Sequence, residues 1–197
     1  MANKLNSILV YCGANPGNKP IYRDVAMELG NYFVANKQIL VYGGGSIGIM
    51  GIIADTVLAA KGKVIGVIPD FLNVKEVGHA GLSEIYVVSS MHERKAKMET
   101  LCDGVVVLPG GYGTFDEMFE MLTWSQLGLH RKPIGILNVN GYYDHLVAQM
   151  DKMVEEGFLS TNNRKLLIVD TSVEGLMEKM KSFDVKTEEK WLDRKDT

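Results

Sequence analysis

Seven short apolar runs, each closed by turn residues, alternate with helical patterns along the chain, and that alternation admits few folds. The runs fall at 7–12, 38–42, 63–68, 85–88, 104–108, 133–138 and 166–169; helical periodicity fills 20–35, 48–61, 91–101, 114–128, 142–156 and 172–182. Apolar runs of this length bounded by turns read as buried strands. Strands alternating with helices predict a parallel sheet with helices on both faces. The expected fold is α/β, a single-domain Rossmann-like doubly wound parallel sheet over 1–183, followed by a charged tail over 184–197. In such sheets ligands collect beyond the carboxyl ends of the strands. The turn-rich segments 12–18, 43–48 and 109–114 all fall there.

The third segment carries the most chemistry. Gly104-Val105-Val106-Val107-Leu108 runs into Pro109-Gly110-Gly111-Tyr112-Gly113-Thr114, and a helix is expected from Thr114 with Asp116 and Glu117 in its first turn. A glycine loop that opens a helix aims free N–H groups and the positive dipole end at one point, a site for a phosphate or other anion. Glu117 then faces whatever that anion is attached to.

Two other segments compete for the same ligand. Gly43-Gly44-Gly45-Ser46-Ile47-Gly48 has G-x-G-x-x-G spacing and invites a dinucleotide reading, with Asp70 on the ribose. Asp70 sits poorly behind Pro69, and the glycine loops fit one compact phosphate-bearing ligand at least as well. Met91-His92-Glu93-Arg94-Lys95 opens the helical pattern 91–101, so its cations project near the strand ends. Arg94 can clamp an anion bidentately, which Lys95 cannot. Basic residues at a helix start oppose the dipole, so an anion is expected to compensate them. His92 reads as a surface residue.

Composition excludes several classes. With 21 basic and 24 acidic side chains the net charge is −3, which offers no basic field to nucleic acid. Cys12 and Cys102 are too few for a disulfide framework, and no Cys or His spacing suits a metal. The N-terminus lacks a signal-peptide pattern and no run reaches membrane length. A cytoplasmic protein without metal, cofactor, membrane or nucleic-acid partner is expected.

Met91-His92-Glu93-Arg94-Lys95 followed by Pro109-Gly110-Gly111-Tyr112-Gly113-Thr114-Phe115-Asp116-Glu117 resembles the LONELY GUY family of cytokinin-activating phosphoribohydrolases, long labelled lysine decarboxylases. The likeness extends to Tyr11-Cys12-Gly13, Val41-Tyr42-Gly43-Gly44-Gly45, Gly48-Ile49-Met50-Gly51, Thr123-Trp124-Ser125-Gln126-Leu127-Gly128 and Asn138-Val139-Asn140-Gly141-Tyr142-Tyr143. Ala14-Asn15-Pro16 departs from the small serines common in the first loop. The resemblance implies hydrolysis of the N-glycosidic bond of a nucleoside 5′-monophosphate, releasing base and ribose 5-phosphate. It also implies Arg94 and Glu117 as the catalytic pair, with Lys95, Thr123 and Glu76 as substrate contacts. From the loops themselves, Gly110, Gly111, Tyr112, Gly113 and Thr114, together with Gly44 and Gly45, are expected to bind substrate.

Two other classes stay open: a non-catalytic nucleotide or cofactor carrier, and a nicotinamide oxidoreductase. Retention of both Arg94 and Glu117 argues against the carrier. The helix from Thr114 carries Phe115, Met118, Phe119, Met121, Leu122, Trp124 and Leu127, more apolar positions than one face holds. A homodimer is expected to cover the excess, and the resemblance points the same way.

Overall fold

A computed structural model describes residues 3–73 and 78–184. The elements follow in the order β1 (Ser7–Tyr11), α1 (Pro20–Ala35), β2 (Ile39–Tyr42), α2 (Gly48–Ala59), β3 (Val64–Pro69), α3 (Asp70–Asn73), β4 (Glu84–Val88), α4 (Met91–Thr100) and β5 (Gly104–Val107). Then come α5 (Tyr112–Gln126), β6 (Ile134–Leu137), α6 (Asp144–Glu155), α7 (Thr161–Arg164), β7 (Leu167–Asp170) and α8 (Val173–Lys181). The seven strands form one sheet in the order β4-β3-β2-β1-β5-β6-β7, parallel throughout. This is the expected Rossmann-like doubly wound arrangement.

Alternation within each strand builds two cores. Ile8, Val10 and Cys12 of the first strand and its end join Leu40, Tyr42, Val106 and Leu108 in a core shared with α1, α2 and α8. Leu9, Tyr11, Val41, Val105 and Val107 point the other way, onto Met98, Met118, Met121 and Leu122 of α4 and α5. Strands buried on both faces need apolar residues at odd and even positions alike, which is why the runs look continuous in sequence.

The chain winds outward from β1 to β2, β3 and β4, then returns to lay β5 on the other side of β1. Strand order reverses between β1 and β5, and the loops leaving these two neighbours diverge to opposite faces. The crevice left there is the ligand position of doubly wound sheets.

Local chemistry sets the boundaries that periodicity missed. Helix α5 begins at Tyr112, two residues before the expected start, so Asp116 and Glu117 lie beyond its first turn. Gly111 caps it with no side chain. Ser90 caps α4 by accepting the Glu93 N–H at 3.2 Å, while the Glu93 carboxylate reaches back to the Ser89 N–H at 2.8 Å. The pattern expected from 142 starts instead at Asp144, after a short 3₁₀ turn over Val139–Gly141. Residues 185–197 of the expected tail lie outside the described residues.

Candidate active site

The loops after β1 and β5 face each other across the switch point and are tied together. The Gly13 N–H donates to the Pro109 carbonyl at 3.1 Å, and the Ile49 N–H at the start of α2 donates to Gly13 at 3.0 Å. Gly110 permits this closeness: a Cβ there would lie 2.1 Å from Thr114 Oγ1 and 2.8 Å from Gly13 N. The result is a cleft of roughly 560 Å³. One wall is the segment 12–17; the other is Pro109, Gly110, Gly111, Gly113 and Thr114; Arg94 and Glu117 also line it.

Gly111 and Gly113 have a different reason to be glycine. Neither has a positive φ, and an added Cβ at either meets nothing within 4 Å. Gly113 even sits in α5, where glycine costs roughly 0.5–1 kcal/mol relative to alanine. Neither backbone angle nor packing among the described residues demands glycine there, and the space beside both is open. The hydrogen-bond ladder of α5 starts with Phe115 N–H to Gly111 O at 3.2 Å. The N–H groups of Tyr112, Gly113 and Thr114 precede it and have no partner within the helix, so the helix start can receive an anion.

Beside it lies a buried ion pair. Arg94 and Glu117 are each 8% exposed, and Arg94 Nη1 meets Glu117 Oε1 at 2.5 Å. Arg94 Nε also donates to the Val67 carbonyl at 3.1 Å. The anion expected to compensate Arg94 is thus a carboxylate of the protein itself, and the guanidinium is a brace rather than a free clamp. Burial pushes the Glu117 carboxyl above its ordinary range; the Arg94 charge and hydrogen bond offset part of the rise. An acid with a raised folded-state pKa binds its proton more tightly folded than unfolded. Its contribution to stability is held at low pH and lost as pH rises through the interval up to the raised value. Glu117 therefore stabilises the fold less at high pH than at low pH.

Lys95 is buried next to Arg94 but turns to Asp116 at 3.3 Å and Glu120 at 3.0 Å. Burial pulls its ammonium down, yet the hydrogen bonds to Glu120 and Asp116 prevail and hold it above the ordinary value. Thr123 is exposed and donates to the Phe119 carbonyl at 2.8 Å, and Tyr112 is 98% exposed; neither lines the cleft. Gly44 and Gly45 do not line it either. Gly44, at φ +76°, packs on Ile68 and accepts the His79 N–H at 2.9 Å, and Gly45 pairs with Gly78. Glu76 lies outside the described residues. Asp70, the first residue of α3, accepts the Phe71 N–H at 2.6 Å and does not line the cleft.

Gly43 has a role that G-x-G-x-x-G spacing conceals. A Cβ on it would stand 2.1 Å from Arg94 Nη2. The first glycine of the triplet makes room for the guanidinium, not for a phosphate. Sequence reasoning also missed Tyr22, Met50, Leu72 and Tyr142 as cleft residues. For Tyr142 the signal was legible, since an aromatic directly after Asn-Gly beyond a strand end lies on the ligand side of the sheet. Cys12 lines the cleft floor, with burial, then Glu117, holding its thiol up and protonated. Among the described residues no group of three or more His, Cys, Asp or Glu side chains is placed to hold a metal.

Fold and site together define a Rossmann-like α/β protein whose cleft sets an uncapped helix start beside a buried arginine–glutamate pair. A family described as "Possible lysine decarboxylase" matches residues 50–180. A rice protein (Oryza sativa subsp. japonica) named "Probable cytokinin riboside 5′-monophosphate phosphoribohydrolase LOGL1" is 47% identical over 180 residues, covering 91% of this chain and 81% of its own. The Arabidopsis thaliana cytokinin riboside 5′-monophosphate phosphoribohydrolase LOG4 is 45% identical, covering 92% of this chain and 84% of its own. The chain belongs to this family, LONELY GUY. Among solved structures, the molybdenum cofactor binding protein of Rippkaea orientalis superposes with a TM-score of 0.68 at 22% identity, covering 91% of this chain and 97% of that one. The Moco carrier protein of Chlamydomonas reinhardtii gives 0.66 at 20% identity, with coverage of 91% and 97%. At those identities the likeness speaks of fold alone.

Proposed function

We propose that the protein hydrolyses the N-glycosidic bond of a purine nucleoside 5′-monophosphate, releasing the free base and ribose 5-phosphate, as a cytoplasmic enzyme. The observation that carries this reading is the pair of unexplained glycines, Gly111 and Gly113, at a helix start that adjoins a buried Arg94–Glu117 pair. The names of the relatives agree with it: these are phosphoribohydrolases acting on cytokinin riboside 5′-monophosphate. The N–H groups of α5 receive the phosphate and fix the ribose against Glu117, so that binding remote from the bond assists its cleavage. As the C1′–N bond breaks, the base departs with the electron pair and takes up a proton. Positive charge builds on the ribose and faces the carboxylate. Water bonds to C1′ and gives its proton to Glu117, which passes it to bulk water and so replaces the proton the base took up from solvent, while Arg94 holds the carboxylate in place. A lysine nucleophile is disfavoured, because Lys95 stays a cation between Asp116 and Glu120. Incubation with AMP and with N6-prenylated AMP, followed by chromatography of the released base, tests the reading. Intact nucleotides after prolonged incubation would overturn it in favour of a carrier.

The same reading assigns Gly43 to the machinery. Gly43→Ala forces the guanidinium off a position fixed by Val67 and Glu117. Overpacking of this kind costs about 1–3 kcal/mol of stability, and hydrolysis is expected to fall at least about tenfold. Unchanged turnover in that variant shows that Arg94 can shift without consequence.

We also infer a homodimer. Phe115, Phe119 and Trp124 of α5 are only half-buried, and Leu127 and Leu129 just beyond it are exposed. Edge strand β4 leaves Ile85 and Val87 exposed as well. Two-fold pairing covers such faces with the same surface of a second copy. Sedimentation equilibrium at micromolar concentration is expected to give about 44 kDa, twice the chain mass of 21.8 kDa; a single species at the chain mass overturns the dimer.

A further inference from the structure

The glycine loop is held by two tyrosines that the chemistry above does not use. Tyr143 is fully buried and donates its hydroxyl to the Leu108 carbonyl at 2.8 Å, at the end of β5. Tyr142 lines the cleft and donates to the Gly110 carbonyl at 2.6 Å. Its ring is fixed by edge-on contacts with Tyr143, centroids 4.9 Å apart, and with Tyr22 at 6.1 Å. The tyrosines are themselves anchored. The Asn138 N–H donates to the Asp170 carbonyl at 2.7 Å, its side-chain oxygen accepts the Tyr143 N–H at 2.8 Å, and its amide donates to Asp144 at 2.7 Å. Asn140 and Gly141 stand at φ 51° and 71°, left-handed conformations that throw the next two residues back over the loop. Asn140 adopts such an angle without the freedom of glycine, a local strain that the surrounding bonds enforce.

We propose that Tyr142 is a positioning residue, whose hydroxyl sets the orientation of the Gly110–Gly111 peptide so that the loop meets the substrate's phosphate ready-made. In a trans peptide the carbonyl and the next N–H point in opposite directions within one plane. Every peptide bond described here is trans. Fixing the Gly110 carbonyl on Tyr142 therefore fixes the Gly111 peptide, the N-cap through which the chain enters the Tyr112, Gly113 and Thr114 N–H groups. Glycine peptides flip readily between orientations, and Gly110 and Gly111 adjoin with no Cβ between them to resist the flip. The hydroxyl supplies the restraint that side chains in the loop cannot, and preorganised donors bind without first being ordered.

This inference rests on the phosphate reading of the site, and its test separates the two. Tyr142→Phe keeps the ring contacts and removes only the hydroxyl. In wild type, ribose 5-phosphate and adenine are both expected to inhibit AMP hydrolysis competitively. In Tyr142→Phe, KM for AMP and the inhibition constant of ribose 5-phosphate are expected to rise about five- to tenfold, the scale of one lost hydrogen bond. Inhibition by adenine and the thermal midpoint are expected to stay within error. Unchanged ribose 5-phosphate inhibition overturns the role of Tyr142. Parallel weakening of ribose 5-phosphate and adenine, with a lower midpoint, overturns it in favour of general support. Failure of the wild type to hydrolyse AMP or bind ribose 5-phosphate overturns the phosphate reading instead.

Discussion

Glutamine at position 117 is expected to leave a cooperatively folding protein that binds nucleotide but hydrolyses it about a thousandfold more slowly, within the usual range for loss of a positioned acid–base group. Glu117 is buried against Arg94 and lines the cleft one turn beyond the anion-receiving N–H groups. Glutamine keeps its size and one acceptor for Arg94 while removing the charge that faces a cationic ribose. Two stability effects oppose each other. Breaking a buried ion pair by removing one partner costs about 3–5 kcal/mol, because the other charge is stranded. Glu117 itself resists ionisation in the fold, with burial the leading cause, so glutamine also lifts a desolvation cost. A net loss of about 2 kcal/mol is expected at neutral pH. The loss shrinks as pH rises, because wild type alone gives up stability as its carboxyl ionises. The acid limb of wild-type activity is expected above the ordinary glutamate range, since the carboxylate must be formed against its burial. Denaturant melts across pH and single-turnover base release check these together. Near-normal turnover in Glu117→Gln removes the residue from the mechanism.

Strand and helix periodicity made the α/β fold legible, because both are repeated local patterns. Residues 8, 10 and 12 against 9 and 11 sort cleanly into two cores. Helix starts were less legible. Tyr112 and Gly113 are poor signals for a helix, and α5 opens on them behind Gly111, an N-cap that offers no side-chain hydrogen bond. Ser90-x-x-Glu93 did carry the spacing of a capping box, and it marks the start of α4.

In the site, the loop at 109–114 and the nearness of Arg94 and Glu117 to it were readable from one rule, that ligands gather where strands end, while the pairing of Arg94 with Glu117 came only from the family resemblance. What linear spacing could not give is direction. Lys95 adjoins Arg94 in sequence yet points to Asp116 and Glu120, since consecutive helical residues differ in azimuth by about 100°. Gly43 and Gly44 look like a phosphate loop, but one makes room for Arg94 and the other packs on Ile68. A glycine in sequence says that something comes close; only three-dimensional neighbours say what. At Gly43 the neighbour is inside the protein, and at Gly111 and Gly113 no neighbour among the described residues stands within reach.

That contrast makes the dependence on phosphate the sharpest expectation for this cleft. AMP is expected to be hydrolysed with kcat/KM at least about a thousandfold above that for adenosine, although the bond cleaved and the base released are identical. The N–H groups of Tyr112, Gly113 and Thr114 precede the α5 ladder, and the two glycines leave their surroundings open. Hydrogen bonds to a charged acceptor contribute about 1.5–3 kcal/mol each, so two or three made to phosphate account for some 4–6 kcal/mol. Each 1.4 kcal/mol is a factor of ten. Because the phosphate is remote from the reacting bond, this energy holds the ribose against Glu117 and appears partly in kcat, not in KM alone. Inorganic phosphate is then expected to inhibit AMP hydrolysis competitively and to leave any slow hydrolysis of adenosine largely unaffected or enhanced, since the anion can occupy the helix start while the nucleoside sits beside it. The measurement is a pair of progress curves for AMP and adenosine, each with and without phosphate. Comparable rates on the two substrates, or indifference of AMP hydrolysis to phosphate, would mean that Gly111 and Gly113 are open for some other ligand.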